Sequence, residues 1–304
     1  MKKIVKYRKR KQFHIGKFIG ILFICMVGCS FFTTLKNEVA KGPISEDERI
    51  YDTIYNEIKD YKTSFSVGQI LDTRNGQAVY EPLHKVQNDN PEFFWLMGGA
   101  SLVGAKGDFY TLTVNSRCDM EQVPDMKQNM DSIVHDIVTY ANYYCKTDYE
   151  KALYVHDYLI KTCVYDEKTY EKYLQEDGDG SSLSYTAYGC ICNHTAVCAG
   201  YAKAYMLILK ELGIECGYVT GKARNSDGIG NHAWNYIKLD DGYYMVDVTW
   251  DDPIGGDDSI CSRKYFCLTS EMMEKDHFAD SEQWVPECKG KKYERQRWGQ
   301  ALEN

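Results

Sequence analysis

The chain has 304 residues, 44% of them hydrophobic and 26% charged, which excludes an intrinsically disordered polymer. Residues 1–17 hold eight basic residues and no acid, so the 36 Lys and Arg less those eight leave 28 against 44 Asp and Glu, a formal charge of −16. An acidic body of that size excludes the clustered cationic footprint that nucleic-acid binding needs.

Residues 18–35 carry no charge. As a helix they would span roughly 27 Å at about 1.5 Å per residue, enough for a hydrocarbon core. The positive-inside tendency holds the basic flank 1–17 in the cytoplasm, so the remainder is expected to be extracytoplasmic and membrane-anchored. A signal anchor, a lipoprotein signal (Met26-Val27-Gly28-Cys29 resembles a lipobox) and a cleaved signal peptide all lead to that compartment. Two of the twelve cysteines, Cys25 and Cys29, lie in this run; export permits disulfides among the others, but no pairing follows from one sequence.

Ile44-Ser45-Glu46-Asp47-Glu48 reads as a capped helix start, continued by Ile50, Ile54 and Ile58. Residues 64–71 alternate as a strand, 76–88 return as a helix, Asp89-Asn90-Pro91 turns, and 93–104 and 108–114 are strand-like. With a helix at about 119–145, region 44–145 is expected to be a small α+β unit. A helix at 148–162 opens a second region, 148–304, and the Gly/Ser-rich segment 175–184 reads as a loop. Thr195–Leu212 predicts a buried helix stopped by Gly213. Cys216–Thr220, His232–Leu239 and Tyr243–Thr249 predict strands, the last two forming a hairpin about Asp240-Asp241-Gly242.

The chemistry concentrates in this second region. A cap by Thr195 or Asn193 would place Cys198 in a first helical turn, where unpaired N–H groups and the positive dipole end favour a thiolate. Ala199 and Gly200 would let a substrate backbone come close. The predicted hairpin sets Asp247 opposite Asn235 and His232 opposite Trp250, close enough along the ribbon for the carboxylate to orient the imidazole. A helical cysteine is most often a small buried residue, a single histidine a satisfied polar group, and an aspartate after a strand a cap. The ordered set of nucleophile, base and orienting acid points to chemistry instead. Trp234 and Trp250 could wall a cleft.

Thr195-Ala196-Val197-Cys198-Ala199-Gly200-Tyr201-Ala202, Leu212-Gly213-Ile214, Asn231-His232-Ala233-Trp234-Asn235 and Val246-Asp247-Val248-Thr249 resemble, in order, the core motifs of the transglutaminase-like superfamily. The resemblance covers about residues 148–270. Asn90-Pro91-Glu92-Phe93-Phe94-Trp95, and Tyr265-Phe266-Cys267-Leu268 with His277, resemble its bacterial secreted branch of cysteine peptidases. It implies an α+β, papain-like catalytic domain over 148–304, with the nucleophile at a helix N-terminus packed on an antiparallel sheet. It implies Cys198 as nucleophile, His232 as base and Asp247 as orienter; no cofactor and no metal are expected. The oxyanion would be held by the Cys198 backbone N–H and by one of Tyr185, Tyr188 or Asn193. The expected substrate is a protein or peptide, cut at peptide or amide bonds through a cysteine acyl-enzyme. Transfer of the acyl group to an amine, and a silent surface-binding module, are the alternatives.

Three rival sets remain. Cys190, Cys192, His194 and Cys198 could ligate a soft metal, although their spacing departs from paired Cys-x-x-Cys zinc patterns. Asp251, Asp252, Asp257 and Asp258 could bind calcium but read as a solvated acidic turn. His156 and Asp157, adjacent in a helix, are expected to point apart as surface or packing residues.

Overall fold

Ser45 opens the first helix, α1 (Glu46–Lys59), through a capping box in which its side chain and that of Glu48 each accept the other's backbone N–H. The four-residue spacing of Ile50, Ile54 and Ile58 buries all three. The computed structural model describes residues 45–70, 77–104, 109–175, 180–226, 228–252 and 261–294, all within one compact unit. The basic flank 1–17 and the apolar segment 18–35 lie outside these residues. Among the described residues no helix is long and apolar enough to cross a membrane.

Strands β1 (Ser64–Gln69), β2 (Leu96–Val103) and β3 (Phe109–Ser116) form an antiparallel sheet in the order β1-β3-β2, with helix α2 (Gln77–Asp89) between β1 and β2 in the chain. Residues 93–95, expected to open a strand, form a turn whose Phe93, Phe94 and Trp95 are buried. Helices α3 (Val123–Tyr144) and α4 (Asp148–Thr162) follow, the latter begun by a Thr147/Glu150 capping box. The hydrophobic core runs without a break from Ile50 and Trp95 through Leu159 and Tyr205 to Phe266.

A short helix not anticipated from sequence, α5 (Glu167–Leu174), is capped by Asp166 and buries none of its residues. Before it lies β4 (Val164–Tyr165), which pairs in parallel with β5 (Thr195–Ala196). That pairing corrects the expected helix over 195–212. Thr195 and Ala196 are committed to a strand, so the central helix α7 spans Cys198–Glu211 and Cys198 is its first residue. Between β4 and β5 come a 3₁₀ turn at Leu183–Tyr185 and helix α6 (Ala187–Ile191), within and beyond a stretch read as loop. Nine residues of α7 are buried, the mark of a helix enclosed on all sides.

The second sheet is antiparallel throughout, in the order β10-β6-β7-β8-β9: β6 (Cys216–Asn225), β7 (Gly228–Leu239), β8 (Gly242–Val246), β9 (Phe266–Leu268) and β10 (His277–Ala279). The fully buried Asn235 fastens β7 to α7, its Nδ2 donating to the Ala202 carbonyl at 3.0 Å and the Gly217 carbonyl at 3.1 Å. The hairpin register differs from expectation by one residue. Leu239 pairs with Gly242 across Asp240-Asp241, which sets Asn235 opposite Val246. β8 ends at Val246, and Asp247 is the N-cap of a one-turn helix, α8 (Val248–Asp251). Helix α9 (Ser270–Met273) links β9 to β10.

Candidate active site

The start of α7 is fixed by backbone, not by a polar side chain. Its N-cap is Val197, with no side-chain cap, so neither Thr195 nor Asn193 fills that place. The Val197 N–H donates to the Ser184 carbonyl at 3.0 Å. Gly200 permits this approach, since a Cβ there would lie 2.4 Å from the Ser184 carbonyl oxygen and 2.8 Å from the Ala196 Cβ. It therefore serves the protein's own packing and not a substrate backbone. Gly200→Ala should destabilise the chain by about 1–3 kcal/mol, read as a lowered thermal midpoint; an unchanged midpoint would show that the helix start can move aside.

Cys198 is half-buried at the wall of a cavity of about 310 Å³, shared with Ala199, His232 and the rings of Tyr170, Tyr173, Tyr185 and Tyr218. A larger cavity of about 720 Å³ borders His232 as well and is lined in part by Tyr165, Thr249 and Trp250. The His232 Nε2 lies 2.7 Å from Asp247 Oδ2. Asp247 Oδ1 accepts the N–H groups of Thr249 at 2.9 Å and Trp250 at 3.1 Å, and His277 Nε2 lies 3.0 Å from Oδ2. The two amide contacts follow from Asp247 capping α8, because a cap carboxylate meets the unpaired amides of the first turn.

Burial alone would raise the Asp247 carboxyl, but the neighbouring His232 and His277 hold it well below the usual carboxylate range. Burial would likewise lower His232; the charge and hydrogen bond of Asp247, then the Cys198 sulfur, outweigh it and push the imidazole up to about 10. With Nε2 engaged by the carboxylate, the ring presents Nδ1 to the thiol. The arrangement can take a proton from sulfur and hold it near a departing group.

The other expected residues divide. Tyr185 lines the Cys198 cavity. Tyr188 does not; its ring lies against Phe94 with centroids 4.7 Å apart. Asn193 is exposed and outside the cavity wall, because residues 187–191 coil into α6 and carry both away. Trp234 is not a cleft wall. It is 2% exposed in a core cluster with Val219, Met245 and Leu268. Trp250 borders the larger cavity and packs on His277, centroids 4.3 Å apart.

Among the described residues, one group of three or more potential metal ligands comes together: His232, Asp247 and His277, with ligand atoms within 4.8 Å. Both imidazoles already meet the same carboxylate oxygen at hydrogen-bond distance, so protons satisfy the cluster as it stands. Cys190, Cys192, His194 and Cys198 are not gathered; Cys190 is buried in the hydrophobic core. Asp251 is fully buried and not solvated, accepting from the Ser262 hydroxyl at 2.8 Å and the Tyr265 N–H at 3.0 Å. Asp257 and Asp258 lie outside the described residues. His156 does not point away from Asp157. It is sealed between Asp157 at 3.0 Å and Asp251 at 3.2 Å, and those carboxylates push it up to about 9 against the effect of burial.

Sequence reasoning missed Tyr218, Tyr170 and Tyr173 as cavity residues. Tyr218 carried a usable signal, since it shares a strand face with Thr220 at period two and both line the cavity.

Residues 138–248 match the model of the transglutaminase-like superfamily. The protein named kyphoscoliosis peptidase in Homo sapiens is 30% identical over 104 residues, and its Mus musculus counterpart 28% identical over 102. Each alignment covers 29% of this chain, which spans only 15% of the relative's length. The crystal structure of a TGase superposes with a TM-score of 0.36 at 16% identity, over 59% of this chain and 48% of that one.

Proposed function

We propose that this chain, whose residues 138–248 match the transglutaminase-like superfamily model, is a thiol enzyme acting on peptide or amide bonds of a protein or peptide through an acyl-enzyme on Cys198. The observation that carries this reading is His232, pinned by Asp247 at 2.7 Å and interacting with Cys198 on the wall of one cavity. The Cys198 sulfur attacks the substrate carbonyl carbon while His232 takes the thiol proton. The C–N bond then breaks, the departing amine takes that proton from His232, and a thioester remains. Water, activated by His232, attacks the thioester, releases the acid and restores the thiol.

Negative charge on the carbonyl oxygen would be met by the Cys198 N–H, which has no helical partner at the first position of α7. Of the three side chains considered as second donor, Tyr185 is the one on the cavity wall. Residence outside the cytoplasm, tethered by residues 18–35, is part of the proposal and rests on the charge pattern of residues 1–35.

Iodoacetamide at pH 7 should label Cys198 before the other cysteines. Burial pushes Cys192 and Cys288 up to about 12, and Cys190 and Cys216 also upward, whereas Cys198 opens onto the cavity at a helix N-terminus beside the His232 ring. Peptide mapping reads the order of modification, and preferential labelling elsewhere would count against the proposal. Incubation with a peptide library, with and without a labelled primary amine, then distinguishes hydrolysis from acyl transfer.

A further inference from the structure

The hydrogen bonds around His232 do not stop at Asp247. The second imidazole on Asp247 Oδ2, that of His277, has its Nδ1 2.6 Å from Asp276 Oδ1, and Asp276 Oδ2 accepts the Tyr265 hydroxyl at 2.8 Å. The His277 side chain has no exposed surface, and that of Asp247 is 1% exposed. Four rings enclose His277, with centroids at 4.3 Å for Trp250, 5.1 Å for Trp234, and 5.4 Å for both Tyr265 and His232.

We infer that His277 is a positioning residue for the candidate base: held by Asp276, it directs its Nε2 at Asp247 Oδ2 and so fixes the carboxylate that orients His232. This rests on the roles proposed for Cys198, His232 and Asp247.

The architecture makes the contact specific. His277 lies on β10, paired opposite Ala223 of β6, while His232 lies on β7, paired opposite Gly221 of the same strand. The two imidazoles therefore reach one carboxylate from strands on either side of β6. Gly221 lets β10 close on β6, because a Cβ there would sit 2.2 Å from the Phe278 carbonyl oxygen. Tyr265 braces the other end. Besides binding Asp276, it accepts the Asp247 N–H on its own carbonyl oxygen at 2.9 Å. Asp247 thus has both oxygens occupied, Oδ1 by two amides of α8 and Oδ2 by two imidazoles. Loss of the His277 donor would free one side of Oδ2 in a site closed to water, and the carboxylate could then turn away from His232.

Two substitutions separate positioning from simple packing. His277→Gln carries an amide N–H near the place of Nε2 and can still reach Asp247. His277→Asn carries one near the place of Nδ1, meeting Asp276 but falling short of Asp247. The full chain and both variants are treated with iodoacetamide at pH 7, Cys198 labelling is followed by mass spectrometry, and folding is verified by circular dichroism. The Asn variant should label about tenfold more slowly than wild type, a fraction of the 10²–10⁴ that a general base contributes, and the Gln variant within about threefold of wild type. Equal rates in the two variants, fast or slow, would overturn the inference. His232→Ala is measured alongside; a wild-type rate there would overturn the assignment of the base itself, a separate result.

Discussion

Cys198→Ala is expected to abolish thioester formation and lower turnover by about 10⁴-fold or more, while the chain remains folded. Among the described residues, no other side chain on the cavity wall is a strong nucleophile placed beside an imidazole; the remainder are tyrosines, Thr220, Asn231, Asp280 and apolar residues. Alanine suits the first turn of a helix and removes one atom from a half-buried position, so the thermal midpoint should move little. Cys198→Ser tests the same point more strictly. Its hydroxyl has nearly the same place but is a far weaker nucleophile at neutral pH, and comparable turnover in that variant would exclude a sulfur-centred mechanism. Rates on a cleavable peptide and circular dichroism melts are the two measurements.

Asp247→Ala should cost both activity and stability. The substitution removes one acceptor from four donors, namely His232, His277 and the amides of Thr249 and Trp250, in a fully buried site. Breaking one side of such a buried network costs about 3–5 kcal/mol. Asp247→Asn keeps the volume and should spare part of that stability, yet lower turnover by about 10⁴-fold through loss of the charge that orients the imidazole.

The stability difference should depend on pH. The Asp247 carboxyl is held below its ordinary range, so its contribution is present above about pH 4 and fades as the pH falls further. His232 is raised from 6.5 to about 10, so its contribution is complete below about pH 6.5 and fades as the pH climbs through about 10. Wild type and Asp247→Ala should therefore differ most between about pH 4 and 6.5 and converge toward both extremes. Urea midpoints from pH 3 to 11 measure this, and a constant difference would show that the pair carries no net charge interaction.

Cys198, His232 and Asp247 stand out in the sequence by their order along the chain and by the motifs around them, and the structure brings His232 and Asp247 to 2.7 Å. Gly213 follows the helix of Cys198, and Asp240-Asp241-Gly242 sets the turn between His232 and Asp247. What failed was fine register. The two-residue turn that pairs Leu239 with Gly242 is one residue tighter than the pairing expected, and β8 ends at Val246, so Asp247 caps a helix instead of continuing the strand. The start of α7 was misjudged because β5 is two residues long and exists only through its pairing with β4, some thirty positions earlier. Helix α5 escaped notice because it has no buried face to leave a periodic pattern, yet it supplies Tyr170 and Tyr173 to the cavity. His277 stood in a recognised motif, but its contact with Asp247 spans thirty residues and requires the position of β10 beside β6, a tertiary fact without local signal. Burial of His156 and Asp251 has no local signal for the same reason: they meet at 3.2 Å from elements far apart in the chain, each with further polar partners inside the protein.

If the Cys198 sulfur is activated by the His232 imidazole, a peptidyl ketone that alkylates activated thiols should report it through the intact mass and peptide map of wild type, Cys198→Ala and His232→Ala. One adduct on Cys198 in wild type, none in Cys198→Ala and a strongly slowed one in His232→Ala is the predicted result. An adduct on a different cysteine, or an undiminished rate without His232, would contradict it.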